Sequence, residues 1–295
     1  MNTDVIILGA GPAGAQAAIY AARKKVDAVV TGKVTGSALH GTHIENYYGV
    51  SGVVQGDDLL NNGVTQAKSF GCTVFDQNVV SLSSQSGLFK AVLESGEEII
   101  SKALILATGI SRKKLGIPGE SALFGKGVSY CAVCDCNFYK GAVVMVVGNE
   151  SEAATSAEVL TKYASKVYWS ADSLDVDGSL VDNAKSAGVE LLSSRPLVIN
   201  GTDRVESIGM DDGSTIAVDG IFIELGGRSS ADLAMDLGIM PELDDTIKIG
   251  ADGSTEMEGV FACGDVAGKP WQVAKAVGQG AIAGLSAAEY VRRKQ

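Results

Sequence analysis

The chain has 295 residues, of which 46% are hydrophobic and 20% charged. This length is enough for two domains with cores of their own, and the composition excludes a disordered chain. The formal net charge of −11 disfavours binding to nucleic acid or to an anionic membrane, because their phosphate groups would be repelled. The sequence shows neither an apolar stretch long enough to cross a bilayer nor a secretory signal. We therefore expect a cytoplasmic protein with no nucleic-acid and no membrane partner.

The first elements predict a unit of parallel sheet. An apolar run over residues 4–8 is followed by a glycine-rich turn, a helix over 15–23 and a second strand over 26–31. This strand-turn-helix-strand order within about 30 residues is typical of a parallel dinucleotide-binding sheet. A further buried strand is predicted over 103–107.

The same pattern restarts in the middle of the chain. A strand over 142–147 is followed by a turn, a helix to about residue 163 and a strand over 166–169. Later segments predict strands over 220–225 and 260–262 and a C-terminal helix over 272–292. Two such units in one chain predict two nucleotide-binding folds of the α/β class.

The first glycine-rich turn has the spacing of a phosphate-binding loop. Gly9 permits a tight turn, Gly11 lets a pyrophosphate approach the backbone, and Gly14 allows close packing of the helix. The helix N-terminus then supplies free N–H groups to the anion. The acidic residue that an NAD site places at the end of the second strand is missing, since that strand ends in Thr31-Gly32.

Three of the five cysteines lie between residues 131 and 136, which indicates chemistry at this segment. In a CxxC motif at a helix start, such as Cys131 and Cys134, one thiol becomes a nucleophile near neutral pH. The alternative is a zinc site that adds Cys136. The two histidines, His40 and His43, are distant in sequence, and the chain has no second CxxC to complete such a site.

These motifs occur in the order found in low-molecular-weight thioredoxin reductases, which the chain resembles over essentially its whole length. The motifs are Gly9–Gly14, Thr31-Gly32, Ile44–Asn46, Ala107–Gly109, the CxxC-Asp segment 127–135 and the segment 259–265. The resemblance implies an α/β fold of two Rossmann-like, three-layer ββα domains, the second inserted in the first. It divides the chain into an FAD-binding domain, residues 1–112 and 229–295, and an inserted domain, residues 113–228. It also implies a homodimer.

The resemblance further implies which residues hold FAD. They are Gly9, Gly11, Pro12, Ala13, Gly14, Thr31, Gly32, Leu39, Asn46, Thr108, Gly109, Gly264, Asp265, Trp271, Gln272 and Val273. Asp265 would bind the ribityl chain, and the Trp271–Val273 segment would lie at the isoalloxazine. The family usually has Arg-Gln-Ala there. Trp271 is therefore a departure, which either stacks near the flavin or a second ligand, or packs in the core or a dimer interface.

For the redox centre, the resemblance implies that Cys134 faces the flavin and that Cys131 attacks the disulfide of a protein partner. Asp135 would be the general acid and base. Cys136 replaces a glycine of the family and is either a third redox thiol or a small buried side chain. Cys72 and Cys263 are expected to be buried structural thiols.

The chain departs from the family where NADPH should bind. In the second loop, Gly148–Ala153, Glu150 replaces the second glycine, and the basic stretch for the 2′-phosphate corresponds to Ser170-Ala171-Asp172. Segment 148–182 contains two lysines, seven acidic residues and no arginine. It therefore cannot form the bidentate arginine–phosphate contacts that such a site uses. Asp172 could instead bind the 2′-hydroxyl of NADH.

We therefore expect a thioredoxin reductase-like enzyme whose electron donor is not NADPH but a ferredoxin, a deazaflavin or another flavin. Its acceptor would be a thioredoxin-like protein. An acidic donor would need a basic patch, for which residues 23–25 and 112–114 are candidates. Segments 113–117 and 226–230 match the hinges of the family. The alternatives are an NADH-dependent disulfide reductase and a flavin-binding redox sensor or partner-binding module.

Overall fold

The structure is a computed structural model that describes residues 1–110, 114–130, 132–226, 230–242 and 245–294, without the side chains of Val133 and Cys134. The chain divides into two compact units. The first comprises Met1–Ser111 and Arg228–Gln295, and the second comprises Arg112–Gly227. Within the described ranges, every helix is too short or too polar to span a membrane.

The elements follow one another in three stretches of the chain. The first stretch contains β1 (Val5–Leu8), α1 (Pro12–Arg23), β2 (Ala28–Thr31), β3 (His43–Ile44), β4 (Val54–Gln55), α2 (Gly56–Ser69), β5 (Thr73–Phe75), β6 (Val79–Gln85), β7 (Leu88–Leu93), β8 (Glu98–Ser101) and β9 (Ala103–Leu106). The second contains β10 (Val128–Ser129), α3 (Ala132–Asp135), β11 (Val143–Val147), α4 (Ser151–Leu160), β12 (Lys166–Ser170), α5 (Gly178–Ser186), β13 (Glu190–Leu192), β14 (Pro196–Gly201), β15 (Val205–Met210), β16 (Thr215–Ala217) and β17 (Gly220–Ile223). The last contains α6 (Ser230–Met235), β18 (Val260–Ala262) and α7 (Val273–Arg293).

The first unit has three layers around a parallel sheet with the strand order β18-β9-β1-β2-β5. Alternate residues of a strand point to opposite faces, so the side chains of β1 contribute to two hydrophobic cores, one on each face of the sheet. Val5 and Ile7 pack against α1 and α7, whereas Ile6 and Leu8 pack toward the antiparallel sheet β6-β7-β8. A parallel sheet covered on both faces explains why its strands are continuous apolar runs.

Helix α7 packs backbone to backbone on α1. A side chain at Gly280 or Gly284 would come within 2.2 Å of the Ala13 carbonyl oxygen or 2.3 Å of the Ala17 carbonyl oxygen, respectively. The small residues of α7 are thus required by this close packing.

Helix α1 begins at Pro12, three residues before the predicted start, because proline fits the first helical position and Gly11 is the N-cap.

The second unit repeats this architecture. Its parallel sheet has the order β10-β17-β11-β12-β13, and the antiparallel sheet β14-β15-β16 forms the other layer. Val144 and Val146 pack against α4 and α5, whereas Met145 and Val147 pack toward the antiparallel sheet. The predicted α/β class with two Rossmann-like, three-layer folds is confirmed. The helix predicted to reach about residue 163 ends at Leu160.

Candidate active site

The ends of four neighbouring strands bring most of the predicted cofactor residues together. In the first unit, Leu8 pairs with Thr31 on one side and with Leu106 on the other, and Leu106 pairs with Ala262. The loops that follow these residues therefore leave the same edge of the sheet. They carry Gly9–Gly14, Thr31-Gly32, Thr108-Gly109 and Gly264-Asp265. Ligands of open parallel sheets bind at this edge.

The three glycines of the first loop have different roles. Gly9 has φ of +112°, and a side chain there would lie 2.4 Å from the Ala107 carbonyl oxygen. A side chain at Gly14 would lie 1.8 Å from the Gly9 carbonyl oxygen, so both glycines are required by the fold. At Gly11 the nearest atom is Ser37 Oγ at 3.5 Å, so the protein itself would accommodate a side chain. A ligand that approaches the backbone explains this glycine.

The start of α1 and the end of β2 offer polar groups to such a ligand. Within residues 1–110, no side chain caps the N-terminus of α1, and its first turn is without acidic residues. The Oγ1 atom of Thr31 is buried and lacks a hydrogen-bond partner among the described residues. Buried hydroxyls are normally paired. The helix N-terminus, the free hydroxyl and the open space at Gly11 together fit a dinucleotide such as FAD.

Two polar contacts hold the other loops of this edge. Ser230 Oγ, at the start of α6, accepts hydrogen bonds from the backbone N–H of Thr108 at 3.0 Å and from its hydroxyl at 2.7 Å. Lys275 Nζ, near the start of α7, donates to the carbonyl oxygens of Gly264, at 2.8 Å, and Gly268. Burial lowers the pKa of Lys275 and raises the pKa of Asp265.

The predicted residues outside the strand ends lie in two places. Asn46 Nδ2 is 3.4 Å from Oε1 of Gln272, the N-cap of α7, so these two and Val273 are brought together. The backbone of Leu39 anchors its loop, because its carbonyl oxygen accepts from the Thr42 hydroxyl at 2.8 Å. Trp271 is 54% exposed and stacks with Lys269, whose Nζ is 5.1 Å from the ring centroid. The core-packing alternative for Trp271 is therefore wrong for this chain.

The redox segment lies at the start of α3 in the second unit. Cys131 and the side chain of Cys134 lie outside the described residues, whereas Asp135, at the end of this helix, is half-buried. Ala132, between the two cysteines, donates its backbone N–H to Glu224 Oε1 at 3.0 Å. Glu224 follows β17 and also accepts from Ser156 Oγ of α4 at 3.1 Å. Sequence reasoning missed Glu224, although a glutamate in an otherwise apolar run was a signal.

The three other cysteines are buried free thiols. Cys136 packs in the core of the second unit, and its hydrogen bond to Tyr163 raises the pKa of that phenol. Burial raises the pKa of Cys72 to about 11 and that of Cys263 to about 12. Both are protonated at neutral pH, as expected for structural thiols.

The loop before α4 differs from a phosphate-binding loop in chemistry. A side chain at Gly148 would lie 1.8 Å from the Glu224 carbonyl oxygen, so this first glycine is required by the fold. Glu150 is the N-cap of α4, and Glu152 is buried in its first turn. Two carboxylates at a helix N-terminus disfavour a second anion there. The residues present do not fit the pyrophosphate of NADPH.

The end of β12 shows a cation that sequence reasoning missed. Arg195 Nε lies 3.8 Å from Asp172 Oδ2, but its stronger partner is Asp211, whose Oδ2 is 3.1 Å away. Arg195 follows β13 and so comes beside Asp172 only through the pairing of β12 with β13. Arg195 lies outside the segment 148–182 whose charges the sequence analysis compares.

The candidate hinges and the basic segment 112–114 lie partly outside the described residues.

Comparisons with known proteins agree with this arrangement. The family model of pyridine nucleotide-disulphide oxidoreductases matches residues 3–280. A thioredoxin reductase of Listeria innocua is 35% identical over 98% of this chain and 93% of its own length.

Among solved structures, the atypical thioredoxin reductase TRi from Desulfovibrio vulgaris Hildenborough is 34% identical, with a TM-score of 0.82 and 99% of each chain covered. A ferredoxin-flavin thioredoxin reductase from Clostridium acetobutylicum is 29% identical, with a TM-score of 0.67 and again 99% of each chain covered. The chain thus belongs to the thioredoxin reductases, flavin-dependent oxidoreductases within the pyridine nucleotide-disulphide oxidoreductase family.

Proposed function

We propose that this protein reduces the disulfide of a thioredoxin-like protein through a Cys131–Cys134 dithiol, with electrons from a donor other than NADPH. The observation that carries the donor assignment is the N-terminus of α4. Glu150 occupies the N-cap position of this helix and Glu152 is buried in its first turn, where the phosphates of a pyridine nucleotide need N–H groups and positive charge. The likeness to an atypical and a ferredoxin-flavin thioredoxin reductase supports the same assignment.

FAD is the cofactor that we propose for the first unit. The N-terminus of α1 would bind its pyrophosphate, with Gly11 leaving room for it, and the Thr31 hydroxyl would gain a polar partner. Thr108 is fixed by Ser230, and Asp265 lies in the loop that Lys275 anchors. Bound FAD would supply electron transfer between the donor and the dithiol.

The chain's own residues would then carry out thiol–disulfide exchange. The Cys131 thiolate attacks one sulfur of the partner's disulfide, a mixed disulfide forms, and the partner's other sulfur leaves as a thiolate. Asp135 donates a proton to this leaving group. The Cys134 thiolate next attacks Cys131 of the mixed disulfide, which releases the reduced partner and forms the Cys131–Cys134 disulfide.

An enzymatic assay separates this function from that of a redox sensor. Under anaerobic conditions, reduced ferredoxin should drive many turnovers of thioredoxin reduction per protein, read with an alkylating reagent that shifts the mass of the reduced partner. Cys131→Ser and Cys134→Ser should each abolish turnover. Reduction of one thioredoxin per protein without further turnover would favour the sensor and contradict the proposal.

Two observations at the loop before α4 favour NADH as the alternative electron donor. Asp172 stands at the end of β12, where a ribose 2′-hydroxyl would be bound, and Ser151 Oγ is buried without a partner among the described residues. Asp172 is already bonded to Asn149, and Glu150 opposes the pyrophosphate. We therefore rank NADH below a low-potential protein donor, and ferredoxins near −400 mV could supply the electrons.

The homodimer stays a prediction from the family resemblance, and the cytoplasmic location stays a prediction from the sequence.

A further inference from the structure

A lysine near the start of α7 holds the loop that follows β18. Lys275 Nζ donates hydrogen bonds to the carbonyl oxygens of Gly264, at 2.8 Å, and Gly268. These two glycines lie directly before and after the short helical turn Asp265–Ala267. The ammonium group of Lys275 thus ties both ends of this turn to one helix.

A second side chain of α7 holds the other half of the same peptide segment. Gln279 lies one helical turn after the lysine, and its Oε1 accepts from the Gly264 N–H at 3.1 Å. Gly264 has φ of +83°, and a side chain there would lie 2.8 Å from Cβ of Ala13 in α1. The residue before Asp265 is therefore fixed by two side chains of α7 and by the close approach of α1.

Lys275 has an unusual position for a cation. It is the third residue of α7, in the first turn, where the helix dipole disfavours positive charge. Burial lowers the pKa of its ammonium group, so the surroundings also disfavour the charge. The charge of Asp265 opposes this effect and raises that pKa. The neighbouring carboxylate thus gives a reason for a charged side chain at this place.

This lysine compensates the charge of Asp265 but does not occupy its oxygens. Asp265 is half-buried, burial raises its pKa, and the charge of Lys275 opposes the rise. In the part of the chain that the structure describes, no hydrogen bond or ion pair reaches the Asp265 carboxylate, because the lysine donates to backbone carbonyl groups instead. A carboxylate that keeps its charge and its acceptor oxygens can bind the hydroxyl groups of a ligand.

We propose that Lys275 is a positioning residue for the cofactor. It holds the turn that carries Asp265 by the carbonyl groups at both ends, and it keeps the carboxylate charged while the oxygens stay available to ligand hydroxyl groups. The family resemblance places the ribityl chain of FAD at Asp265. This inference rests on the proposed FAD site and adds to it a residue of α7 that prepares the acceptor.

The other titratable groups around this turn are few. Beyond Lys275, α7 has none before Glu289. The segment packed on the turn is the one in which the Ile247 N–H donates to the Val266 carbonyl oxygen at 2.7 Å. The titratable side chains of this segment, of α1 and of the chain next to the turn are Asp245, Lys248, Tyr20, Arg23, Cys263 and Lys269. The charge that shifts the pKa of Asp265 is that of Lys275.

Lys275→Met removes the charge and the donors from a side chain of similar length. Flavin-free protein is titrated with FAD, and binding is followed by the quenching of flavin fluorescence. K275M should raise the FAD dissociation constant about tenfold at about pH 7. In an Asp265→Asn background the same substitution should change it by no more than about twofold, because the lysine acts through Asp265.

The matched control is Lys102→Met. Lys102 Nζ is 2.8 Å from Asp4 Oδ1, directly before β9 and β1 and hence at the opposite edge of the same sheet. K102M therefore also removes a lysine beside an aspartate of the first unit, but it should bind FAD as wild type does.

A pH series separates the charge of Lys275 from mere support of the loop. Without an opposite charge nearby, Asp265 takes up a proton at higher pH, so its pKa rises in K275M. On acidification, the FAD affinity of K275M should therefore fall at a pH about one unit higher than that of wild type. A lysine that only supports the loop would weaken binding equally at every pH. Lys275→Gln, which keeps a donor without the charge, should show the same pH shift and serves if K275M does not fold.

Equal FAD affinities of wild type, K275M and K275Q would overturn the role of Lys275. So would a loss of affinity that is the same with and without Asp265, or pH profiles that coincide. A wild-type flavin-free protein that does not bind FAD would instead overturn the proposed cofactor.

Discussion

The side-chain amide of Asn149 donates a hydrogen bond of 2.9 Å to Oδ1 of Asp172 and thereby joins the loop before α4 to the end of β12. The same amide lies 3.2 Å from Ser173 Oγ, and the Asn149 carbonyl oxygen accepts from the backbone of Asp175 at 2.9 Å. The chain therefore uses the polar groups of this loop for its own contacts. The same loop also carries the negative charge of Glu150, at the N-cap of α4, which a substitution can remove.

Glu150→Gly restores the glycine spacing of a phosphate-binding loop. Glu150 has an ordinary extended backbone, with φ of −111° and ψ of 178°, so the fold should tolerate the change. Removal of a negative charge from a helix N-terminus should strengthen NADH binding about tenfold, measured by calorimetry. Glu97→Gly, at an exposed turn of the first unit, removes the same charge elsewhere and should have no effect. Equal NADH affinities of E150G and wild type would show that Glu150 is not what excludes the nucleotide.

Gly11→Ala and Gly14→Ala should separate cofactor binding from folding. The added carbon at Gly14 would lie 1.8 Å from a carbonyl oxygen, whereas at Gly11 it would lie 3.5 Å from Ser37 Oγ. G14A should therefore destabilise the flavin-free protein, and G11A should leave its urea unfolding unchanged but weaken FAD binding at least tenfold. Tight FAD binding by G11A would argue against a pyrophosphate at this loop.

Thr31→Val should weaken FAD binding without weakening the flavin-free fold. The Thr31 hydroxyl is buried and has no partner in the part of the chain that the structure describes, and an unpaired buried hydroxyl costs about 1–3 kcal/mol. Unfolding of flavin-free T31V should therefore need as much denaturant as wild type, or more, while the FAD dissociation constant rises about tenfold.

The control for this prediction is Ser101→Ala. The Ser101 hydroxyl is equally buried but donates to the Ala103 carbonyl oxygen at 2.8 Å, so its loss should cost stability by about 1 kcal/mol and leave FAD binding unchanged. If T31V lost stability as S101A does, the hydroxyl would have a partner within the chain.

Cys263 should make stability depend on alkaline pH. Burial raises the pKa of its thiol from 9.0 to about 12, so the folded state holds this proton more tightly than the unfolded state. The stabilisation is fully present below about pH 9 and is lost as pH rises toward about 12. Cys263→Ala should thus lose less stability than wild type between about pH 9 and pH 10, by up to about 1.4 kcal/mol in urea unfolding. A constant difference between the two proteins would contradict this linkage.

The strand ends that form the cofactor edge could be predicted from the sequence. Each combines a short apolar run with a nearby glycine, which follows directly at Leu8-Gly9 and Thr31-Gly32 and lies within three residues of the ends of β9 and β18. Parallel strands place such ends at one edge of the sheet. The family resemblance implied a second sheet layer in each unit, but the strands of the two three-stranded antiparallel sheets were not predicted individually. Strand β6, with a serine-rich second half, and the short strand β16 show little of the apolar alternation that identifies a strand.

Contacts made by distant parts of the chain could not be predicted either. Arg195 reaches Asp172 because β13 pairs with β12, and Glu224 reaches Ala132 because β17 is the neighbour of β10 and β11. Strand order, and not local sequence, decides both contacts. The difference between Gly11 and Gly14 also needs coordinates, because it depends on which atoms lie opposite each glycine.

The electron donor is the central claim, and an anaerobic titration of the flavin-loaded protein tests it most directly. NADPH and then NADH are added while the flavin absorbance is followed, and reduced ferredoxin is added last. We expect the absorbance to persist with both nucleotides and to bleach rapidly with ferredoxin. Rapid bleaching by NADPH would contradict the assignment of a donor other than NADPH, and rapid bleaching by NADH alone would establish the second donor in place of ferredoxin.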